Sequence, residues 1–299
     1  MNDSMTVLLE DVIGIVRAAG ELVMEVYRSD FEVRGKVDTS PVTEADERAE
    51  ALILQALAAR TPQIPVISEE AAAAGHVPEV GQRFWLVDPL DGTKEFINRN
   101  GEFTVNIALI DNGEPVLGVV LVPALDRLFA GARGYGAFIE QTGERQAIHC
   151  RTVSQEGLDV VASRSHGDAE ALDKFLDGRQ VRSLKSAGSS LKICLVACGE
   201  ADLYPRLGRT MEWDTAAGMR CWWLPVDRSA PLAAMCCVMA SPAWTTRISM
   251  LTGYSRNLLV HGPVSGDGSR PFVLAIARST STDARSSPPS CPDANNHES

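Results

Sequence analysis

No stretch of the sequence is long and apolar enough to span a membrane. The amino terminus, MNDSMTVLLEDVIGIVRAAG, lacks a basic start and an unbroken apolar core, because Asp3, Glu10, Asp11 and Arg17 interrupt it. It does not read as a secretory signal. The seven cysteines (150, 194, 198, 221, 236, 237 and 291) show no paired zinc-type spacing, and a chain of 299 residues needs no disulfide framework. A reduced, cytosolic (cytoplasmic) chain without a transmembrane segment is the expectation. A basic excess is missing as well: 28 Lys and Arg face 39 Asp and Glu, for a net charge of −11. A protein that coats nucleic acid needs the opposite balance to displace counterions, so no nucleic-acid partner is expected. An anionic substrate has then to be drawn in by metal and by a few local cations.

What is present is an ordinary globular composition, 45% hydrophobic and 22% charged, in a length that can bury a large core as one domain or two lobes. One stretch concentrates the chemistry: Trp85-Leu-Val-Asp88-Pro-Leu90-Asp91-Gly92-Thr93-Lys-Glu-Phe96. Phe84 to Val87 is an apolar run of strand length, and the Pro and Gly after it mark a turn. Asp88 and Asp91 then stand three apart at a strand's carboxyl end and can aim at one point. Hard oxygen ligands converging in this way suit Mg²⁺. Gly92 and Thr93 read as the opening of a helix, whose unpaired N–H groups can receive a phosphate. Taken alone, the same residues also describe a plain turn followed by a threonine cap.

The remaining chain supplies a frame. Val7 to Tyr27 has apolar residues at three and four, the pattern of an amphipathic helix. Thr43-Glu-Ala-Asp46 is a capping-box start for a helix running to Arg60. Ile64 to Ile67 reads as a short strand that delivers Ser68-Glu69-Glu70 to its end. Phe103 to Ile110 alternates and ends in Asp111-Asn112-Gly113, a hairpin signal, after which Val116–Val122, Arg127–Ala130 and Gly136–Ile139 continue as short antiparallel strands. Beyond them Asp159–Ala162 is a strand, Glu170–Leu176 a helix, and Asp214 sits at the start of another helix. The fold class expected is α/β, an α+β layered sandwich of two lobes: residues 1–140 with the metal site, and residues 141–218 as an α/β lobe. By residue chemistry alone Asp46 and Asp214 also serve as caps, Glu69 and Glu70 as a solvated acidic loop, and Arg164, His166 and Ser189 as loop polar groups.

The central stretch, with Asn98 to Ile110 behind it (NRNGEFTVNIALI), resembles the metal-dependent sugar and nucleotide phosphatases of the inositol monophosphatase superfamily, and within them the bacterial 3′(2′),5′-bisphosphate nucleotidases. The resemblance covers Met5 to Gly218. It implies the two-lobed inositol monophosphatase-like fold and two or three Mg²⁺ ions held by Glu69, Asp88, the Leu90 carbonyl, Asp91 and Asp214. In the same way it implies that Asp46 and Thr93, with Glu69, orient the attacking water, that Glu70 is no ligand, and that the Gly92 and Thr93 amides meet the phosphate. The segments Ser-Arg164-Ser-His166 and Gly188-Ser189-Ser190-Leu-Lys192 look like those facing the nucleoside and its other phosphate, with Lys185 and Arg206 as further cations. The implied reaction is removal of the 3′-phosphate of 3′-phosphoadenosine 5′-phosphate, with the sulfated analogue as a second substrate. An inositol or sugar monophosphate is the neighbouring alternative.

The resemblance stops at Gly218, and the composition changes there. Residues 219–299 contain no Lys, seven Arg, four of the seven Cys and three Trp, and end in a Ser/Pro/Asn-rich tail that reads as disordered. A disordered linker or an extra domain is one account of this, and loss of one nucleotide at the Gly218 codon is the other. With one C restored before the Met219 codon, Gly218 to Arg228 can read Gly-His-Ala-Val-Leu-Val-Ala-Ala-Gly-Gly-Ser. Met235 to Leu251 can likewise read Val-Leu-Arg-Tyr-Gly-Lys-Pro-Gly-Leu-Asp-Asn-Pro-His-Phe-Tyr-Ala, which is similar to that family's carboxyl terminus. The expectation is therefore an irregular segment from Met219 onward, a second lobe without its closing strands, and a chain that is either weakly active or an inactive metal- and phosphate-binding remnant.

Overall fold

The computed structural model describes residues 2–35, 41–151, 153–164, 169–206, 210–222, 236–238 and 247–249. A first helix, α1 (Asn2–Arg28), is followed by a small antiparallel pair, β1 (Val33–Gly35) and β2 (Pro41–Thr43), and by α2 (Glu44–Arg60). β3 (Val66–Ser68), α3 (Glu69–Ala73), β4 (Arg83–Asp91), α4 (Thr93–Ile97) and β5 (Thr104–Asp111) come next, then β6 (Glu114–Val122), β7 (Arg127–Ala132), β8 (Gly136–Gln141) and β9 (Glu144–Ala147). β3 to β9 form one seven-stranded sheet in sequence order, parallel between β3 and β4 and antiparallel elsewhere. The sheet thus runs past residue 140, the lobe boundary expected from sequence, to Ala147. A second unit holds β10 (Leu158–Ser163) parallel to β11 (Val181–Ala187), with α5 (Ala169–Leu176) between them, followed by α6 (Leu191–Ala197) and α7 (Glu212–Trp222).

Strand alternation makes this a three-layer sandwich. Successive side chains along a strand face opposite sides of a sheet, and those at every second position share a face. Trp85, Val87, Val105, Ile107 and Leu109 accordingly join one buried cluster with Leu9, Val12, Val16 and Val23 of α1 and Ala49, Ile53 and Leu57 of α2. Phe84, Leu86, Ala108, Ile110 and Val120 join a second cluster with Leu191 and Cys194 of α6 and Trp213, Ala216 and Ala217 of α7. Each fully buried side chain of this size contributes about 1.5–3 kcal/mol, so both faces are held by tertiary packing. Tyr27, Phe31, Phe96 and Phe103 stack at centroid distances of 4.8–5.1 Å, tying the end of α1 to α4 and the start of β5 beside the strand ends. The hairpin at Asn112 and Gly113 turns with φ of 55° and 77°, a pair of positive values that the Asn-Gly signal supplies.

α7 lies against a small-residue groove in the sheet. A Cβ at Gly118 would stand 2.4 Å from the Ala217 carbonyl oxygen and 2.8 Å from Arg220 Cβ, so only glycine lets the helix approach this closely. The helix does not break at Gly218: it runs on to Trp222, with Met219, Arg220 and Cys221 all buried. The expected irregularity from Met219 is therefore corrected for residues 219–222, whose helical pattern continues the buried stripe that Trp213, Ala216 and Ala217 begin. Cys236–Val238 (β12) and Arg247–Ser249 (β13) pair antiparallel. The rest of the predicted out-of-frame segment lies outside the described residues.

Candidate active site

The acidic stretch is built by a bulged strand rather than a tight turn. β4 runs through Asp91, and its register against β5 slips between Asp88, opposite Asn106, and Asp91, opposite Thr104. A bulge accommodates Pro89, which has no N–H to give to a ladder. Alternation puts Asp88 on the side of Phe84 and Leu86, the side covered by α6 and α7, and its Oδ1 accepts the Leu90 N–H at 3.1 Å. Gly92 follows with φ of 89°. A Cβ there would lie 3.1 Å from Ser189 Cβ, so the second unit closes on this point of the first. α4, the helix expected to open at Gly92 and Thr93, forms there but is only five residues long, and its dipole is correspondingly slight.

Asp46 is held by its own cap. Thr43 N–H and Thr43 Oγ1 both donate to Asp46 Oδ2 at 2.8 Å, while Thr43 Oγ1 accepts from Ala45 N–H, a closed capping box. This leaves Oδ1 pointing across 47 positions of sequence to Thr93 Oγ1, 3.5 Å away, and the Thr93 hydroxyl also lies 3.4 Å from the Leu90 carbonyl oxygen.

Asp91 and Asp214 meet from opposite lobes. Asp91 Oδ2 accepts the Ser190 N–H at 2.5 Å and faces Thr104 Oγ1 at 3.5 Å. Asp214 Oδ2 accepts Thr210 Oγ1 at 2.7 Å and Met211 N–H at 2.9 Å, capping α7. In each carboxylate the named donors fall on one oxygen. Burial, and then the neighbouring Asp214 charge, push Asp91 up to about 7 against the opposing pull of Lys192 and the Ser190 N–H, with Glu69 adding to the rise. Burial likewise raises Asp214, against its two cap hydrogen bonds and Arg206, and Glu69 raises it further. Glu69, in the first turn of α3, thus stands within the electrostatic reach of both. Among the described residues no three carboxylates, histidines or cysteines stand close enough to enclose an ion.

The cations come from the second unit. Lys192 is buried, donates to the carbonyl oxygens of Ala187 at 3.1 Å and Ser189 at 2.6 Å, and lies 5.4 Å over the Tyr204 ring. Burial lowers it to about 8, with Asp91 opposing and Arg206 reinforcing the fall. Arg206 lies near enough to act on Lys192, Tyr204 and Asp214 alike. Other residues expected at the substrate are engaged in contacts of their own, exposed, or outside the described residues. Arg164 grips Glu102 at 3.0–3.1 Å and donates to the Ser186 carbonyl oxygen at 3.0 Å, while Glu102 Oε2 also takes the Gly188 N–H at 2.9 Å. Ser189 has φ of 44°, its Oγ accepts from Leu191 N–H, and its carbonyl oxygen serves Lys192. Lys185 is exposed in the middle of β11, and His166 lies outside the described residues. Sequence reasoning gave no role to Glu102, Thr104 or Asn106. Their one signal was polarity at alternate positions, Glu102-x-Thr104-x-Asn106, leading into an otherwise apolar strand.

Carboxylates at the strand ends of a mixed sheet, with cations on a second α/β unit, define a layered α/β sandwich with an oxygen-rich site. The chain belongs to the inositol monophosphatase family, which its residues 4–220 match. It is 51% identical over 213 residues to the 3′(2′),5′-bisphosphate nucleotidase CysQ of Escherichia coli, an alignment spanning 71% of this chain and 85% of that protein. Among solved structures it is similar to CysQ from Bacteroides thetaiotaomicron, a bacterial member of the same family, at 38% identity and a TM-score of 0.58, covering 71% of this chain and 84% of that one. It is similar too to an inositol monophosphatase from Thermotoga maritima, at 30% identity and a TM-score of 0.60, covering 71% of this chain and 81% of that one.

Proposed function

We propose that the chain is a Mg²⁺-dependent phosphomonoesterase that removes the 3′-phosphate of 3′-phosphoadenosine 5′-phosphate, giving AMP and phosphate, and that it accepts the sulfated analogue. The observation that carries the metal-site reading is Asp91 and Asp214, two buried carboxylates from different lobes: the Asp214 charge raises the proton affinity of Asp91, and Glu69 adds to the rise of both. Such a cluster is costly unless a cation shares it. The donor set is all oxygen, as a hard divalent ion requires. Glu69, Asp88, Asp91, Asp214 and the Leu90 carbonyl would hold the ions, drawing together around them. Bound Mg²⁺ supplies charge neutralisation at the phosphoryl group and a lower pKa for water. The choice of a bisphosphate nucleotide rests on the named activity of the Escherichia coli relative.

The chain's own residues then divide the work. Asp46, fixed by Thr43, accepts the Thr93 hydroxyl hydrogen, which turns a lone pair of Thr93 Oγ1 toward the attacking water. Lys192 and Arg206 place positive charge beside the carboxylates, where a doubly phosphorylated substrate needs it. Arg164 and the Gly188 N–H reach the second phosphate by exchanging the Glu102 carboxylate for it. Asp214 stands near the departing sugar oxygen. A phosphate-release panel with and without Mg²⁺ tests this reading: preference for inositol monophosphate over the bisphosphate nucleotide overturns the substrate assignment.

A second reading, an inactive remnant with an out-of-frame terminus, is supported by one structural observation besides composition. Arg220, which the restored frame would replace with alanine, is buried in α7 against Gly118, and burial is the largest influence on its guanidinium, pulling its pKa down. The family match ends at this same residue.

A further inference from the structure

Ser190 belongs to a segment expected to face the substrate, yet its polar atoms are spent on the other lobe. Its N–H donates to Asp91 Oδ2 at 2.5 Å, and its Oγ lies 2.8 Å from Thr104 Oγ1 and 2.8 Å from Asn106 Oδ1. All three side chains are buried. Asn106 presents its oxygen to Ser190, while its buried Nδ2 has no partner. A proton count decides the direction of this chain. With Asn106 Oδ1 toward Ser190, the Ser190 hydroxyl must donate to it and accept from Thr104, which leaves no hydrogen on Thr104 for Asp91. Turning the amide over pairs the buried donor, the more expensive group to leave unsatisfied. Nδ2–H then donates to Ser190 Oγ, Ser190 to Thr104 Oγ1, and Thr104 to Asp91 Oδ2 at 3.5 Å. Asp91 Oδ2 thereby receives two donors from this network, one through the side-chain chain and one through the Ser190 backbone.

We infer that Asn106, Ser190 and Thr104 form a one-way hydrogen-bond chain across the two lobes that fixes Asp91 Oδ2, so that Ser190 is a positioning residue for a metal ligand and not a substrate contact. This inference rests on the metal-site reading given under Proposed function. Partners that hold one oxygen of a ligating carboxylate orient the other toward the ion, and loss of such a partner typically costs 10–100-fold in metal affinity. The chain is closed by contacts separated by 84 to 99 positions in sequence, which makes it a means by which docking of the second lobe completes the first lobe's site.

The test is Mg²⁺ binding to the full chain without substrate, by calorimetry or by Mn²⁺ competition in EPR, together with kcat and KM at saturating Mg²⁺. Ser190→Ala and Thr104→Val should each weaken Mg²⁺ binding about tenfold, with KM for the bisphosphate nucleotide changed less than twofold. Ser190→Thr, which keeps the hydroxyl, should restore it. Thermal unfolding of each variant identifies any that do not fold, and the other variant then carries the test. Unchanged Mg²⁺ affinity in a folded variant overturns the inference, as does a rise in KM with metal binding intact, which would make Ser190 a substrate contact. Failure of the wild-type chain to bind Mg²⁺ overturns the metal-site reading together with the inference. Failure to hydrolyse the nucleotide while Mg²⁺ still binds overturns the proposed substrate alone.

Discussion

Two clusters of acid in this molecule are solved in opposite ways. At the strand ends, Asp91 lies in the field of Asp214 and both lie in that of Glu69, with Lys192 and Arg206 nearby, and burial with this repulsion drives their proton affinity up. At the foot of the second unit, Asp159 is clasped by Arg151 and Arg182, takes the Arg182 Nε–H at 3.0 Å and the Ser183 hydroxyl at 2.6 Å, and lies beside Asp202, which accepts from Arg151 at 2.8 Å. The Arg182 and Ser183 hydrogen bonds hold Asp159 well below the usual carboxylate range, more strongly than burial raises it. One cluster carries its countercharge in the protein, as a structural knot does. The other leaves charge for a ligand to neutralise, as perturbed functional sites do.

The strongest way to break this comparison is to discharge the open cluster. Asp88→Asn and Asp91→Asn should each lower kcat by at least about a thousandfold while unfolding stays cooperative, since removing repelling charge does not damage the core. Glu69→Gln should be comparably harmful and Glu70→Gln mild. Equal damage from both glutamines would mean that the wrong glutamate has been assigned. Thr93→Ala should cost less, about a hundredfold in kcat, with Mg²⁺ binding intact. Loss of metal binding in that variant would move Thr93 from handling water to building the site.

The closed cluster predicts a stability effect instead. Asp159→Asn should cost about 1–2 kcal/mol, toward the lower end because Arg151 and Arg182 are 34% and 39% exposed. The sign with pH follows from the depressed pKa. The stabilisation is complete above the unfolded carboxylate value of about 4 and fades as pH falls toward the lower folded value. Unfolding midpoints of wild type and variant should therefore differ at pH 7, and the gap should narrow progressively as pH falls below about 4. A gap that does not narrow below about pH 4 would show that packing, and not charge, holds this corner.

The parts of this picture that were legible in sequence are the local ones. The Thr43-to-Asp46 box, the Asn112-Gly113 hairpin and the alternation of β5 depend on residues two or three apart, and each forms with the geometry its spacing dictates. The Asp88-to-Asp91 turn was misread because a bulge and a turn use the same Pro and Gly, and only pairing with β5 distinguishes them. The Ser190 network was invisible, since nothing in a sequence states that a glycine-serine loop lies across Thr104. The pairing of Arg164, expected at the substrate, with Glu102 is equally hidden in sequence, because the two stand 62 positions apart. Tertiary contacts of this kind convert candidate ligands into occupied ones, and their identity is a property of the fold.

The smallest expected effect concerns the end of α7, where a charge is buried with burial itself as its dominant influence. Arg220 lowers its pKa through burial, with Glu114 attracting it and Arg133 opposing, in a helix seated on Gly118. Neither acidic cluster includes it, and the helix around it is otherwise apolar: Ala216, Ala217, Met219 and Cys221 are all buried. Replacing buried ionic groups by apolar side chains of similar volume is often neutral or stabilising by about 1–4 kcal/mol, and alanine gives up part of that gain through the space it leaves. Arg220→Ala should accordingly raise Tm by about 2–4 °C, provided the helix settles into the groove that alanine leaves. Destabilisation instead would show that the guanidinium has become a structural element of this chain in its present frame. The same position links the measurement to the coding DNA. If the frame downstream of Gly218, shifted by one base, encodes alanine at this position, a branched apolar run after it and the family-like Tyr-Gly-Lys-Pro segment further on, then the stabilising substitution is the restored one. If that reading frame is closed, the tail is native and the buried arginine has been accommodated by selection.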